Sequence, residues 1–463
     1  MRRGGTPKGR RRGVPDDVGW APPCCGRRWC GPTWPGGRSR DNPETPIGAL
    51  SGVRVLELAH IMAGPVCGLM LADMGADVVK VERLPHGDGS RGFVPPDVDG
   101  ESAAFMMLNR GKRGIAVDLR NSQGVEIVRG LAARYDVLIE NFRVGTMERI
   151  GLGWDTLSEL NPRLVYCQIT GFGRTGPLAE QGGFDLIAQG HSGLMSITGE
   201  GAGREPVKVG APVTDITAGI LGAFGVATAL FERQRTGRGQ LVDTSLFEAG
   251  ITHTFWQSAI ALATGVSPGP MGSAHPLSAP YQAFRTADGW VNVGASNQGT
   301  WDRLVDALGV PELGYDPRFA TNADRMGHLA ELVAELSSLM AERTTSEWLD
   351  VFERAGVPAG PVASVGEMLE HPQTVARRMV VEVEHSRLGR VRSLGCAVKM
   401  SRGAGQAGTS GRSKTAPAGK GAPRLGEHTH AVLVEVGWSE DEVADMVGGG
   451  VVAIGDGSSP SEV

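Results

Sequence analysis

Residues 53–82 read VRVLELAHIMAGPVCGLMLADMGADVVKVE, and this stretch decides the fold class. VRVLEL (53–58) and DVVKVE (77–82) are short apolar runs rich in valine, which is typical of buried β-strands. Between them lies an apolar segment whose Pro65 stands where the first turn of a helix accepts proline. The stretch therefore predicts a βαβ unit, in which a helix joins two parallel strands.

The same alternation continues along the chain. It predicts further strands at 113–118, 136–141 and 163–173, and a helix that begins near Asn121 and Ser122. Repeated alternation of strands and helices indicates an α/β fold, with a mostly parallel sheet covered by helices on both faces. In such sheets ligands bind beyond the carboxyl ends of the strands, so we expect the binding site among the turns there.

The rest of the chain divides into segments of different composition. PYQAFRTADGWVNVGAS (280–296) predicts a hairpin that turns at Asp288-Gly289 and marks a smaller α+β domain. We assign a disordered basic extension to 1–48, a large domain to 49–264, the small domain to 265–360, a return to the large domain to 361–400, a flexible linker to 401–423, a C-terminal helix to 424–446 and a disordered tail to 447–463.

Charge and cysteine content exclude several classes of function. The chain has 463 residues and a net charge of −5, and residues 1–48 carry ten Lys or Arg against four Asp or Glu. The remaining body is therefore acidic, and we predict no nucleic-acid partner. The six cysteines form no CxxC pair and no tetrahedral zinc spacing, so we predict no metal site and a reducing, cytoplasmic location.

No segment has the pattern of a secretory signal or a membrane span. The paired arginines at the start are not followed by the apolar run of roughly 7 to 15 residues that a signal peptide needs. The most apolar stretch, 216–231, is short and rich in Gly and Ala. We therefore expect no association with a membrane.

Arginines follow several of the predicted strands. Arg83 follows DVVKVE, Arg120 follows GIAVD, and Arg143 and Arg149 follow DVLIENF, all near the expected binding edge. Each guanidinium offers a planar fork of donors that suits phosphate oxygens, so together they would fit a polyphosphate ligand. Solvated charges at strand ends would produce the same pattern, and this alternative stays open.

KVGAPVTDITAGILGAFGVATALFERQRTGRGQ (208–240) predicts one long apolar helix with a single carboxylate, Asp215, at its entrance. Asp at this place predicts an N-cap, whose carboxylate accepts hydrogen bonds from the first turn. A helix N-terminus also favours a nearby ionised carboxylate. Nothing local to Asp215 indicates a nucleophile, so capping alone and capping combined with chemistry both remain open.

A series of longer motifs occurs in order over about 49–400 and again at 422–436. They include LSGVRVLELAHIMAGPVCGLMLADMGADVVKVERLPHGD, NRGKRGIAVDL, VLIENFRVGTMERIGLGWDTLSELNPRLVYCQITGFGRTGP, GAPVTDITAG, TGRGQLVDTSLFEA, APYQAFRTADGW, DPRFATNADR, AGVPAGPV and LGEHT. The series resembles the class III CoA-transferase family of the CaiB/BaiF type, which contains formyl-CoA transferase and carnitine CoA-transferase.

The resemblance implies a Rossmann-like, CoA-binding large domain at 49–264 and a homodimer whose two chains interlock. It implies no permanently bound cofactor, with acyl-CoA and a free carboxylic acid as substrates. In such enzymes an aspartate attacks the acyl-CoA thioester to give a mixed anhydride. The released CoA thiolate attacks again to give an enzyme–CoA thioester, and an acceptor carboxylate then collects the CoA. The GAPVTDITAG motif places this nucleophile at Asp215.

Other positions match the family's CoA-binding motifs one at a time. They lie in the turn after the first strand, after the KVE strand, after VDL and in the ENF segment. By resemblance, the expected CoA-binding residues are Met62, Ala63, Arg83, Arg120, Asn141, Phe142 and Arg149.

Two alternatives to transfer remain. The family also contains 2-methylacyl-CoA racemases, which need a histidine where this chain has Phe184, and phenylalanine cannot move a proton. The neighbouring Asp185 is an alternative to that histidine, although we interpret it as structural. A CoA-binding protein without catalysis is the other alternative.

Overall fold

The computed structural model describes residues 48–401 and 419–455. The strands are β1 (Arg54–Glu57), β2 (Asp77–Glu82), β3 (Asp97–Val98), β4 (Glu101–Ser102), β5 (Arg113–Val117), β6 (Val137–Glu140), β7 (Val165–Thr170), β8 (Leu241–Ser245), β9 (Tyr281–Arg285), β10 (Trp290–Gly294), β11 (Ala359–Pro361), β12 (Val380–His385), β13 (Gly389–Leu394) and β14 (Val452–Ala453).

The helices are α1 (Ala63–Asp73), α2 (Ala103–Asn109), α3 (Ser122–Ala132), α4 (Thr146–Arg149), α5 (Trp154–Leu160), α6 (Asp185–His191), α7 (Leu194–Ile197), α8 (Val213–Thr236), α9 (Leu246–Thr252), α10 (Phe255–Thr264), α11 (Gln298–Leu308), α12 (Asn322–Gly327), α13 (Leu329–Met340), α14 (Thr345–Ala355), α15 (Val365–Glu370), α16 (Pro372–Ala376), α17 (Thr429–Glu435) and α18 (Glu440–Gly448). Short 3-10 helices occur at Gly89–Gly92 and Pro311–Gly314.

A seven-stranded sheet forms the centre, in the order β14-β5-β2-β1-β6-β7-β8. All neighbours in it are parallel except β14, which runs antiparallel to β5. Counted along the chain, the six parallel strands have the order 3-2-1-4-5-6 of a doubly wound, Rossmann-like sheet. The direction of winding reverses between β1 and β6, so the turns after these two strands flank the expected ligand crevice. The predicted α/β fold with a parallel sheet is confirmed.

Alternate residues of each central strand face opposite sides of the sheet. On β1, Val55 packs into a core with α1 and α8, whereas Leu56 packs into a second core with α3, α17 and α18. Helix α3 begins where the sequence predicted, because the Asn121 side chain accepts a hydrogen bond from Gln123 N at 2.9 Å. Both faces of the sheet are thus covered by helices, which explains its nearly continuous apolar strands.

A second, antiparallel sheet of order β11-β10-β9 carries its own core, which includes Phe284, Trp301 and Phe352. The predicted hairpin is confirmed, since β9 and β10 pair across a turn that contains Asp288 and Gly289. The domain limits at 265 and 360 remain predictions.

Three predictions for the C-terminal part need correction. The linker prediction falls mostly on residues outside the described ranges. At its end, however, the backbone of Lys420 pairs with that of Glu384 in an isolated β-bridge, and Ala422 is buried. The single helix predicted for 424–446 is two helices, because Gly437 takes φ +108° and Ser439 caps α18. The tail predicted as disordered includes β14, which is paired with β5. The basic extension at 1–48 lies outside the described residues, apart from its last glycine.

Helix α8 is, by length and composition only, apolar enough to cross a membrane, and it alone meets that criterion within the described ranges. It also packs tightly on α1. A side chain at Gly219 would lie 2.5 Å from the Ala63 carbonyl oxygen and 2.7 Å from Val66 Cβ, so this glycine permits the close approach. The apolar character of this helix therefore serves the core on that face.

Candidate active site

The turn after β1 and the end of β6 meet at the point where the sheet's winding reverses. Asn141 Oδ1 accepts a hydrogen bond from His60 N at 2.9 Å, and Asn141 Nδ2 donates to His60 O at 2.8 Å. The rings of His60 and Phe142 lie 5.5 Å apart. The turn that ends at Met62 is therefore held next to Asn141 and Phe142 through His60, and the contact of these residues with CoA stays a prediction.

Ile61 in this turn has an unusual backbone conformation. Its φ is +69°, in the left-handed region, which β-branched residues adopt rarely and at a cost of about 1–3 kcal/mol. The Asp88 carboxylate accepts a hydrogen bond from Ile61 N, at 3.0 Å to Oδ1 and 3.3 Å to Oδ2. The buried Asp88 carboxylate thus holds the strained turn by a hydrogen bond to its backbone.

Asp88 is one member of a buried charge network, which we define as Glu57, Lys80, Asp88 and Lys112. Lys80 Nζ lies 3.0 Å from Glu57 Oε1 and 2.8 Å from Asp88 Oδ2, and Lys112 Nζ lies 2.8 Å from Glu57 Oε2. All four side chains are excluded from solvent. The alternation of cations and carboxylates offsets the loss of hydration that isolated buried charges would suffer.

The pKa values follow from this arrangement. Burial alone would lower the pKa of Lys80, but Glu57 and Asp88 outweigh it and raise that pKa. Burial alone would raise the pKa of Asp88, but Lys80 outweighs it and lowers that pKa strongly. At Lys112 burial dominates over the attraction of Glu57 and lowers the pKa to about 8. Lys80 and Asp88 are therefore charged at neutral pH.

The three expected CoA-binding arginines do not contact one another. Arg83 Nε donates to Gly87 O at 3.2 Å, and Arg149 Nη2 donates to Thr146 Oγ1 at 3.1 Å. Arg120 follows β5, two strands away from β1, and pairs with Asp118 at 2.9 Å while its side chain is 79 % exposed. Each guanidinium is thus bonded within its own loop and reaches solvent.

Asp215 is not the N-cap that the sequence predicted. The N-cap of α8 is Pro212, and Asp215 is the third residue of the helix. The capping contacts come from Asp185, whose Oδ1 accepts hydrogen bonds from Thr214 N at 3.0 Å and Thr214 Oγ1 at 2.8 Å. Gln189 Nε2 donates to the other oxygen of Asp185 at 2.7 Å. Asp185, a residue distant in sequence, has therefore taken the capping role.

The Asp215 carboxylate is half-buried. Unlike Asp185, it accepts no hydrogen bond from any group within 48–401 and 419–455. Burial and then the negative charge of Asp185 raise the pKa of Asp215 to about 7. The expectation that the helix dipole makes the ionised form favourable is therefore wrong in its net effect. An unpartnered carboxylate with a strongly shifted pKa is a common feature of catalytic sites.

Sequence reasoning missed the buried charge network and Glu140. Glu140 ends β6, is fully buried, and accepts a hydrogen bond from Phe142 N at 2.7 Å, while burial raises its pKa to about 8. A signal for the network was present, because Glu57 and Lys80 each stand among the apolar residues of a strand that is expected to be buried. The parallel register places Glu57 directly opposite Lys80, as the opposite charges in VRVLEL and DVVKVE require.

Within the described ranges, no group of three or more His, Cys, Asp or Glu side chains is arranged to hold a metal ion. The arrangement instead combines a free carboxylate at the start of α8 with a fixed turn at the ligand-binding edge of the sheet. Chemically, the carboxylate is a potential nucleophile and the turn a potential ligand contact.

Comparisons with known proteins give consistent results. A family described as CoA-transferase family III matches residues 50–429. The succinate–glutarate CoA-transferase of Agrobacterium fabrum is 40% identical over 84% of this chain and 95% of its own length. The succinyl-CoA:glutarate CoA-transferase of Mus musculus is 37% identical over 87% of this chain and 90% of its own. A crystal structure of a CaiB/BaiF family protein from Brucella suis, 40% identical, superposes with a TM-score of 0.71 and covers 84% of this chain and 100% of that one.

Proposed function

We propose, from the premise that this chain belongs to CoA-transferase family III and is a CoA-transferase, that Asp215 is the nucleophile that carries the CoA. The observation that carries this proposal is the state of its carboxylate. It is half-buried and free of hydrogen bonds from the described residues, and burial, followed by the negative charge of Asp185, raises its pKa to about 7. Because no donor stabilises the negative charge, the ionised carboxylate is a better nucleophile than a capped one.

The proposed reaction needs no group beyond the two substrates. An Asp215 oxygen attacks the thioester carbonyl, the C–S bond breaks, and CoA thiolate leaves a mixed anhydride. The thiolate then attacks the aspartyl carbonyl, which expels the donor carboxylate and forms an aspartyl–CoA thioester. The acceptor carboxylate attacks the aspartyl carbonyl of this thioester, the C–S bond breaks, and CoA thiolate leaves a second mixed anhydride between Asp215 and the acceptor. The thiolate finally attacks the acceptor's acyl carbon, which expels the Asp215 carboxylate and forms the new acyl-CoA. No proton, electron or water molecule is consumed.

We place the CoA against the turn after β1 and the end of β6, with Met62, Ala63, Asn141 and Phe142 in contact with it. The support is their neighbourhood at the reversal of the sheet's winding, where ligands of such folds bind. Arg83, Arg120 and Arg149 are proposed to neutralise the phosphates. Asn141 uses its amide to hold His60, so its expected part in CoA binding is mainly to shape the turn.

The proposed donor and acceptor are dicarboxylic acids of the succinate and glutarate class. Two relatives from a bacterium and a mammal, each at least 37% identical to this chain, carry succinate or succinyl-CoA and glutarate in their names. The pair succinyl-CoA and glutarate is therefore the first to assay.

We further propose an interlocked homodimer in the cytoplasm. Ile220, Phe224 and Phe231 recur at the spacing of one face of α8, and Phe224 and Phe231 are 70% and 69% exposed. Phe255 on α10 is 72% exposed. Exposed apolar surface of this kind supports a second copy as its cover, and the interlocking itself rests on the family resemblance. The free thiols of the described cysteines support a reducing compartment.

One experiment tests the central proposal. The protein is incubated with succinyl-CoA and glutarate, and new CoA esters and protein adducts are identified by mass. We expect glutaryl-CoA, and we expect a CoA adduct on the peptide that contains Asp215 when the acceptor is left out. Asp306→Asn, which changes an exposed carboxylate on α11, is the control and should behave as the wild type. An adduct on another residue, or loss of an α-deuterium without any acceptor, would contradict the proposal.

A further inference from the structure

We propose that Asp88 is a positioning residue for acyl-CoA binding, which acts by holding Ile61 in the left-handed conformation that shapes the turn carrying Met62 and Ala63. This inference rests on the proposed function, because it assumes that the turn after β1 binds CoA. Asp88 itself is 4% exposed, so it does not touch the substrate. Its effect must pass through the backbone that it holds.

Three buried side chains form hydrogen bonds with the backbone of the turn and of the residues that flank it. Lys80 Nζ donates to Ala59 O at 2.8 Å, Asp88 accepts from Ile61 N at 3.0 Å, and Lys112 Nζ donates to Pro65 O at 2.9 Å. All three groups belong to the buried charge network. Its charges therefore do more than neutralise one another, since each is also bonded to the segment between β1 and the first turn of α1.

Among the three contacts, the one from Asp88 falls on the strained residue. An isoleucine at φ +69° persists only where its surroundings determine it, and the hydrogen bond to its N–H is the contact that does so. Without that bond, Ile61 would relax toward negative φ, and the direction of the following residues would change. Met62 and Ala63 would then no longer face the crevice in the same way.

Asp88 is in turn fixed with little freedom of its own. Its backbone N–H donates to Glu82 Oε2 at 3.0 Å, and Ser90 donates to its Oδ1 from both N and Oγ at 2.8 Å. Glu82 pairs with Arg91 at 2.7 Å. These bonds fix the orientation of the Asp88 carboxylate. A group that positions a ligand-binding loop needs such support from its own neighbours.

The test separates positioning from folding by removing the strain. Asp88→Ala is expected to raise the KM for acyl-CoA at least about tenfold while kcat changes less than about twofold, because the turn binds ground state and transition state alike. Adding Ile61→Gly should restore most of the affinity, since glycine adopts positive φ without a side-chain penalty. Asp73→Asn, which breaks the Asp73–Arg110 pair at the other end of α1, is the matched control and should leave KM unchanged.

Direct titration of CoA into each variant by calorimetry completes the test. Should Asp88→Ala fail to fold, Asp88→Asn replaces it with an expected rise of about threefold, because its amide oxygen still accepts from Ile61 N. A folded Asp88 variant with wild-type affinity, or a double variant that Ile61→Gly does not rescue, would overturn the inference. Absence of CoA binding by the wild type would instead overturn the proposed function, and this inference with it.

Discussion

Two regions of this molecule treat buried carboxylates in opposite ways. In the buried charge network, Asp88 is saturated with donors and its pKa is lowered, so its charge is permanent. At the start of α8, Asp215 has no donor among the described residues, and burial together with Asp185 raises its pKa to about 7. The difference lies in the partners that each carboxylate is given, since burial acts on both. Saturated charge fixes a shape, whereas unsatisfied charge remains available for reaction.

The largest expected effect comes from removing the unsatisfied carboxylate. Asp215→Asn keeps the shape of the side chain but loses the nucleophile, so kcat/KM for CoA transfer should fall by about a thousandfold or more. The assay is the rate of glutaryl-CoA formation from succinyl-CoA. Far-ultraviolet circular dichroism should be unchanged, because no described group depends on Asp215 for a hydrogen bond. A variant with more than a tenth of the wild-type rate would exclude Asp215 as nucleophile.

A substitution in the buried charge network should instead lower the free energy of unfolding. Glu57 pairs with both Lys80 and Lys112 and is fully buried, so Glu57→Gln leaves two buried ammonium groups without their shared counter-ion. The expected loss in the free energy of unfolding is about 3–5 kcal/mol, measured by urea denaturation.

The matched control for Glu57→Gln is Glu370→Gln, in an exposed pair with Arg392 at 2.9 Å. Exposed pairs contribute roughly 0–1 kcal/mol, so this variant should unfold near the wild-type urea concentration. If both variants lost the same free energy of unfolding, burial of the network would make no difference to the contribution of its ion pairs.

The same comparison predicts that the unsatisfied carboxylate costs stability at high pH. In the unfolded chain Asp215 has an ordinary pKa near 4, and in the folded chain its pKa is about 7. Folding therefore favours the protonated form, and this contribution is full below pH ~4 and lost as the pH rises through 7. Asp215→Asn should thus be more stable than the wild type by about 2 kcal/mol at pH 8. At pH 4 the two should unfold at similar urea concentrations, and a constant difference across this range would refute the sign.

The sequence was sufficient to predict the central sheet, but it could not predict the different environments of the Asp88 and Asp215 carboxylates. The valine-rich runs and the turn at Asp288-Gly289 predicted strands and a hairpin correctly, because those signals are local. The cap of α8 was assigned to Asp215 because it precedes an apolar run, yet Asp185 supplies it from 29 residues away. Spacing along the chain cannot show which of two carboxylates a fold brings to a helix end.

The pair of lysines in the buried charge network illustrates the same limit. Lys80 could have been matched to Glu57 from the registered strands, but Lys112 reaches Glu57 from a loop before β5. Ile61 gave no signal at all, because isoleucine is a residue that normally avoids the conformation it adopts. The resemblance supplied Asp215 and Met62 as site residues, whereas the groups that position them are visible only in three dimensions.

The smallest expected effect links the two aspartates at α8. The rate of transfer should fall as the pH drops through about 7, since protonated Asp215 cannot attack the thioester. Asp185→Asn keeps an oxygen that accepts from Thr214 but removes the charge that raises the pKa of Asp215. The acid limb of kcat/KM should therefore move to lower pH by roughly 0.5 to 1 unit, while Asp306→Asn leaves it in place. Because burial is the larger cause and persists in the variant, a shift to the ordinary pKa of aspartate would show that Asp185, rather than burial, controls the nucleophile.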